Sequence, residues 1–255
     1  MIAMTPSDMS GKAALVTGAA SGLGRGAALA LAHAGADVAI VDVNADGLAE
    51  TAREIAALGR RAVVHAANLA ERENCGAAVR AAVDAFGRLD ALCNVAGLIK
   101  FAHTHAMPWE DYALTIAVNL NAPFYLSQAA IPHLLEADGA IVNVTSSAAF
   151  IGEAYAAAYC ASKAGLTQMT KALAMEYMHK PLRVNAVAPG GMMTGIAANM
   201  TFPADLDRSL IARFSGLRGL VEVDDVAGVI AFLASPAARG FHGATVTMDR
   251  GITAG

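Results

Sequence analysis

The sequence predicts an α/β fold: a doubly wound parallel sheet of about seven strands with helices on both faces. Three observations carry that prediction. Short apolar runs alternate with longer helical stretches along the chain. The runs stay apolar through most of their length. The first of them leads into a glycine-rich turn that opens a helix. Continuous apolar runs suit parallel strands covered on both faces. Alternation of strand and helix is the pattern of crossover units in such a sheet.

Strands are predicted at 12–17 (KAALVT), 37–42 (DVAIVD), 61–66 (RAVVHA), 89–94 (LDALCN), 139–145 (GAIVNVT), 182–188 (LRVNAVA) and 244–248 (ATVTM). Helices are predicted near 22–34, 44–58, 71–86, 109–136, 156–179 and 222–235. Gly35, Gly59 and Gly87 stand just past three helix ends, where a left-handed cap favours glycine. The β–α rhythm breaks at 190–220, and a long insertion after a strand reads as a cap over a pocket. With no Pro/Gly/Ser linker and no internal repeat, residues 1–255 read as one domain carrying that cap.

Composition narrows the function. Of 255 residues, 56% are apolar and 16% charged, which excludes a disordered, solvating chain. A net charge of −4 supplies no basic excess for nucleic acid or anionic lipid. The richest apolar stretch, Gly26 to Val41, is broken by His33, Gly35 and Asp37, so no membrane span is expected. The first residues lack a basic and an apolar signal region, so a cytoplasmic protein is expected. Three widely spaced cysteines, Cys75, Cys93 and Cys160, suggest neither a disulfide framework nor a metal site.

The turn after the first strand reads Thr17-Gly18-Ala19-Ala20-Ser21-Gly22-Leu23-Gly24. Glycines there permit a tight turn, close approach of backbone N–H groups to a pyrophosphate, and packing of the helix on the sheet. The helix N-terminus adds partial positive charge facing the phosphates. The spacing, T-G-x-x-x-G-x-G, resembles the short-chain dehydrogenase/reductase family. Asp42 closes the second strand 18 residues after Gly24. An acidic residue about 20 positions on binds the ribose hydroxyls and repels a 2′-phosphate. Positions 43 and 44 carry no Arg or Lys, and Ser21 stands where NADP-using relatives often have a basic residue. NAD is therefore the expected cofactor; the competing reading makes Asp42 a helix N-cap.

Tyr159-Cys160-Ala161-Ser162-Lys163 is a Y-x-x-x-K pattern. Residues four apart share one helix face, so phenol and ammonium reach one site. Bringing a phenol from about 10 toward neutral pH takes about 4 kcal/mol of phenolate stabilisation. Lys163 and a positive nicotinamide are the expected sources. The resemblance implies a catalytic Ser thirteen positions before the Tyr, which is Ser146 within Asn143-Val144-Thr145-Ser146, with Ser147 as the competitor. It also implies Asn119 as part of a proton relay through Lys163. Further cofactor contacts implied by the resemblance are Asn68 and Leu69 at the adenine, Asn94, Ala96 and Gly97 after the fourth strand, and Pro189, Gly190, Met192 and Thr194 near the nicotinamide. Val95 replaces a family Asn, so a polar sheet contact is expected to be missing, and Met248-Asp249-Arg250-Gly251 departs from a terminal D-G-G.

Several residues keep two readings. Cys160 reads mainly as a small buried hydrophobe, and His103 and His105 as surface or rim residues. Met192, Met193 and Met200 line an adaptable pocket or pack a cap. Phe150, Glu153 and Tyr155 border substrate, with Glu153 meeting a polar group or lying in solvent. The apolar helix at 156–179 suggests a subunit interface, and the resemblance implies a homotetramer. The leading function is NAD-dependent interconversion of a secondary alcohol and a ketone. The alternatives are an NADPH-linked 3-oxoacyl thioester reductase and a non-catalytic NAD-binding protein. Sugar, steroid, acyl and small cyclic alcohols all stay open as substrates.

Overall fold

The structure, a computed structural model, describes residues 7–193, 202–212, 216 and 218–254. Its strands are β1 (Ala13–Thr17), β2 (Asp37–Asp42), β3 (Ala62–Ala66), β4 (Ala91–Asn94), β5 (Gly139–Val144), β6 (Leu182–Pro189) and β7 (Thr245–Met248). The described helices are α1 (Gly22–His33), α2 (Ala45–Ala57), α3 (Arg72–Phe86), α4 (Trp109–Ile116), α5 (Ala122–Glu136), α6 (Ala157–Glu176), α7 (Arg208–Ala212) and α8 (Val223–Ala234). All seven strands run parallel in one sheet, in the order β3-β2-β1-β4-β5-β6-β7. The predicted doubly wound sheet is therefore the observed one. No described helix is long and apolar enough to cross a membrane.

The strand order reverses between β1 and β4, and ligands of open α/β sheets bind beside such a switch point, at the carboxyl ends of the strands. One apolar cluster holds Val16, Leu31, Ile40 and Ile230; another holds Leu15, Leu92, Leu126 and Ile141. Adjacent residues of β1 thus feed different clusters, as alternating side chains on a covered strand must. β1, β4 and β5 are buried throughout, whereas β3 and β7 are partly open. Those two are the edge strands, and fewer neighbours cover them. Gly35, Gly59 and Gly87 do take positive φ, at 101°, 73° and 72°.

The predicted helix 109–136 is divided. A wide π turn, Ala117–Asn121, joins α4 to α5. Such turns recur at functional sites, and this one holds Asn119. At the opposite end of the strands, the buried Asp90 carboxylate accepts from Ala13 N (2.9 Å), Lys12 Nζ (3.2 Å) and Arg88 (2.6 and 2.8 Å). Burial alone would raise its pKa; these donors outweigh burial and lower it. The site end is held by the contacts below.

Candidate active site

The glycine turn fits closely against the chain around it. Gly18 has φ +70°, and an added Cβ would stand 2.8 Å from Ala96 Cα. A Cβ on Gly24 would run into the Gly18 carbonyl. Neither neighbour is a side chain that can swing aside. Thr17 Oγ1 accepts from Val95 N and Ala96 N, both at 3.0 Å, and so latches the turn after β4 to the end of β1. Sequence reading assigned Thr17 no contact; nothing in the spacing links it to residues 78 positions away.

Two adjoining cavities follow this turn. One, of about 180 Å³, is lined by Gly18, Ser21, Gly22, Leu23 and Gly24, and on its far side by Ser146, Tyr159, Lys163, Pro189, Gly190 and Met192. The other, of about 480 Å³, has Val43, Asn68, Leu69, Leu98, Leu114 and Val118 in its wall. Gly18, Asp42, Ala96 and Gly97 border both. Ser147 lines neither. Thr194 and Met200 lie outside the described residues. Met193 points to solvent, at 71% exposure.

Asp42 sits at the rim between the cavities. Its Oδ2 accepts from Ala20 N (3.2 Å) and its Oδ1 from Asn44 N (3.0 Å). The cap of α2 is Asn44, whose side chain accepts from Gly47 N, so Asp42 does not cap that helix. The nearby cation, Arg25, is engaged by Glu50 (2.9 Å), Glu54 (3.6 Å) and the Ala20 carbonyl (2.6 Å).

Asn94 closes β4. Expected at the cofactor, it is buried within the sheet and lines neither cavity. It stands opposite Asn143 in the β4–β5 register and donates to Asn143 Oδ1 at 2.8 Å; Asn143 in turn donates to Thr170 Oγ1 at 2.9 Å. Asn94 Oδ1 has no hydrogen-bond partner among the described residues. Val95, in place of a second Asn, packs on the apolar core, lines the smaller cavity and donates its backbone N–H to Thr17 Oγ1.

Ser146, Tyr159 and Lys163 meet at the carboxyl end of β5. Ser146 is fixed by accepting from Ala148 N at 3.2 Å, and it lines the same cavity as Tyr159. Lys163 is buried, and its Nζ donates to the Val144 carbonyl at 2.9 Å and lies 5.7 Å from the Tyr159 ring centre. Burial pushes the ammonium down to about 8. Burial also dominates at Tyr159 and pushes the phenol up to about 12; the neighbouring Ser146 side chain lowers it, while Glu153 and Cys160 raise it.

Asn119 is fully buried and its amide clamps the backbone of Leu98, accepting from Leu98 N (2.9 Å) and donating to Leu98 O (2.8 Å). It donates also to Ser162 Oγ (3.1 Å). Those bonds compensate a residue poorly suited to helix interiors. A Cβ on Gly97 would come within 3.3 Å of both Asn119 Oδ1 and Lys163 Nζ, so the bare glycine is what lets loop, amide and ammonium converge. Asn68 turns its carbonyl group to Ala70 N (3.1 Å) at the start of α3.

The loop before α6 forms the outer wall. Tyr155 takes φ +65°, a costly conformation for a bulky residue. It is held by Ala102 N donating to its carbonyl (2.9 Å) and Asp207 N donating to its hydroxyl (2.9 Å). His103 packs edge-on to Tyr155 and pairs with Asp205 at 2.9 Å, and Phe101 packs on Phe202. The described part of the 190–220 segment is thus tied to two loops far away in sequence. Cys160 is half-buried and its Sγ accepts from Glu153 N at 3.4 Å. Glu153 is partly buried, and burial pushes its pKa up to about 7.

Comparison with known proteins agrees with this geometry. Residues 18–253 match the family described as Enoyl-(Acyl carrier protein) reductase. The chain is 38% identical over 244 residues to a cyclohexanol dehydrogenase of Acinetobacter sp. strain SE19, covering 95% of each chain. A short chain dehydrogenase from Burkholderia cenocepacia J2315 in complex with NADP superposes with a TM-score of 0.87 at 35% identity, over 96% of this chain and 98% of that one. Carveol dehydrogenase from Mycobacterium avium in complex with NAD gives 0.87 at 27% identity, over 96% and 99%.

Proposed function

The chain belongs to the short-chain dehydrogenase/reductase family of oxidoreductases, and from that premise we propose that it interconverts a secondary alcohol and a ketone with NAD as cofactor. The observation that carries the reading is the convergence of Ser146, Tyr159 and Lys163 on one cavity with the glycine turn and Asp42. Residues 1–255 act as one cofactor-binding and catalytic domain, with the stretch around 190–220 as its substrate cap.

The residues present suit a dinucleotide. The turn 18–24 leaves its backbone bare at the N-terminus of α1, where a pyrophosphate is favoured. Asn68 and Leu69, in the wall of the larger cavity, would hold the adenine, and Pro189, Gly190 and Met192, in the wall of the smaller, would meet the nicotinamide, with Ala96 and Gly97 between them bordering both. NAD, when bound, supplies the hydride acceptor and a positive charge beside the phenol. Tyr159 takes the proton of the substrate hydroxyl as general base, and returns it in reduction. Ser146 holds the substrate oxygen and stabilises charge developing there. Lys163, kept in place by the Val144 carbonyl, holds the ribose and passes protons to Tyr159. Asn119 positions the Leu98 backbone against that pair.

Asp42 favours NAD over NADP. A 2′-phosphate there would face a carboxylate, while Arg25 is already engaged by two glutamates. Exposed Met175 on α6, Met178 just beyond it and Phe124 on α5 support a homotetramer as the assembled form. The test is melting temperature with NADH and NADPH at equal concentrations. A ligand that binds the native state raises stability by RT ln(1 + [L]/Kd), so selectivity reads as a difference in shift. The expected result is a larger shift with NADH. A larger shift with NADPH overturns the role of Asp42 and moves the 3-oxoacyl thioester reductase reading to first place.

A further inference from the structure

Arg25 and Thr51 stand behind the glycine turn, line neither cavity and have no part in the proposed reaction. Between them they hold Ala19 and Ala20 in the middle of the turn. Arg25 Nη2 donates to the Ala20 carbonyl at 2.6 Å, and Arg25 Nε donates to Thr51 Oγ1 at 3.0 Å. Thr51 is fully buried and donates to the Ala19 carbonyl at 2.8 Å. On the N–H side, Ala19 donates to the Val41 carbonyl and Ala20 to Asp42 Oδ2, both at 3.2 Å. Ala20 thus stands between guanidinium and carboxylate: the first holds its carbonyl, and its N–H holds the second. Gly47 makes room for this, since a Cβ there would come within 2.7 Å of the Ala20 carbonyl oxygen. Glu50 (2.9 Å) and Glu54 (3.6 Å) pair with the outer nitrogens of Arg25, but both are about half-exposed, and exposed pairs contribute little. The partly buried bonds to Ala20 and Thr51 carry the arrangement.

We propose that Arg25 and Thr51 are positioning residues for cofactor choice. Through Ala20 they fix the direction in which the Asp42 carboxylate faces the cavities, and so set the preference for an adenosine ribose with free hydroxyls over one carrying a 2′-phosphate. This deepens, and rests on, the reading of Asp42 above. An ionised carboxylate only accepts hydrogen bonds, so the ribose hydroxyls must meet its remaining lone pairs. Those lone pairs have a fixed direction because Ala20 N anchors Oδ2 and Asn44 N anchors Oδ1. Loosening Ala20 frees one anchor. The carboxylate then grips the ribose less well and can also turn away from a phosphate. A guanidinium acting by charge alone would do the opposite: it would favour the 2′-phosphate, and its loss would weaken NADPH more than NADH.

The test titrates the protein with NADH and with NADPH by calorimetry and reads the ratio of the two dissociation constants. The variants are Arg25→Met, Thr51→Val, Asp42→Ala and the double variant Arg25→Met with Asp42→Ala, each checked for folding by its melting temperature without ligand. Wild type should prefer NADH. Arg25→Met should cut that preference about ten-fold, the worth of a hydrogen bond to a charged group, chiefly by weakening NADH. Thr51→Val, close in shape and at the other end of the same knot, should shift the ratio in the same direction. Once Asp42→Ala has removed the carboxylate, Arg25→Met should move the ratio no further. An unchanged ratio in Arg25→Met overturns the inference. So do equal losses for both cofactors, the mark of a merely structural role, and a loss confined to NADPH, the mark of a charge effect. A further shift in the double variant overturns it too, because Arg25 would then not act through Asp42. Where Arg25→Met does not fold, Thr51→Val carries the same outcomes. A wild type that binds NADPH more tightly than NADH removes the Asp42 reading and the inference with it.

Discussion

The turn after β1 and the segment from the end of β5 into α6 both line the same cavity, yet they are built on different principles. The turn works through the absence of side chains: Gly18 and Gly24 bring backbone within contact of backbone, with no room for a Cβ. The β5–α6 segment works through side chains, a serine, a phenol, an ammonium and a carboxyl whose ionisation burial has moved. The first is a matter of space and is rigid. The second is a matter of charge, and its properties can be tuned one group at a time. The two should therefore fail differently.

The largest effect is expected where space is violated. Gly24→Ala places a methyl group against the Gly18 carbonyl, and backbone must move to admit it. Forced overpacking of this kind costs on the order of 3 kcal/mol, and here the displaced atoms are the cradle itself. The expected outcome is a lower melting temperature together with loss of the NADH-induced shift. A variant that melts like wild type and still responds to NADH would show the turn to be as tolerant as the side-chain half, and the contrast would fall.

Tyr159→Phe tests the other half. It removes one oxygen from a partly buried ring and disturbs no backbone. Turnover should fall by roughly 10²- to 10⁴-fold, the range for a lost general acid/base, while the NADH-induced thermal shift stays within error of wild type. Steady-state rates and the same melting assay measure both. Retained turnover would remove Tyr159 from its proposed role.

The contrast also explains what could be read from the sequence. The sheet, its helices and their glycine caps follow from periodicity, which is local. Gly18, Gly22 and Gly24, and the Tyr159–Lys163 pair, lie at short fixed spacings and were legible for the same reason. Ser146 stands thirteen residues from Tyr159 and needed the family resemblance. What stayed hidden depends on contacts across the fold. The amide of Asn119 clamps Leu98, 21 residues away; Thr17 latches residues 95 and 96; the hydroxyl of Tyr155 reaches Asp207. The sequence likewise did not show that the Asn94 side chain points into the sheet, toward Asn143, while its motif lies beside the site. The ionisation of Glu153 was equally out of reach, since burial sets it.

That ionisation gives the smallest predicted effect and the sharpest use of the comparison. The carboxyl titrates near 7 in the fold against an ordinary 4.5. Between those values the folded chain holds a proton that the unfolded chain has released. The stability contributed by this group therefore falls as pH rises from about 4.5 to about 7, and the cost is constant above. Glu153→Gln cannot ionise and escapes that cost. Its stability relative to wild type should rise by about 2 kcal/mol between pH 5 and pH 8, with allowance for partial exposure of the side chain. Lys163, pushed down to about 8, adds its own dependence mainly above that window, and both proteins share it. Urea unfolding at the two pH values measures the difference. A constant gap would mean that the Glu153 carboxyl is solvated, and with it would go the contrast between a half of the site set by space and a half set by charge.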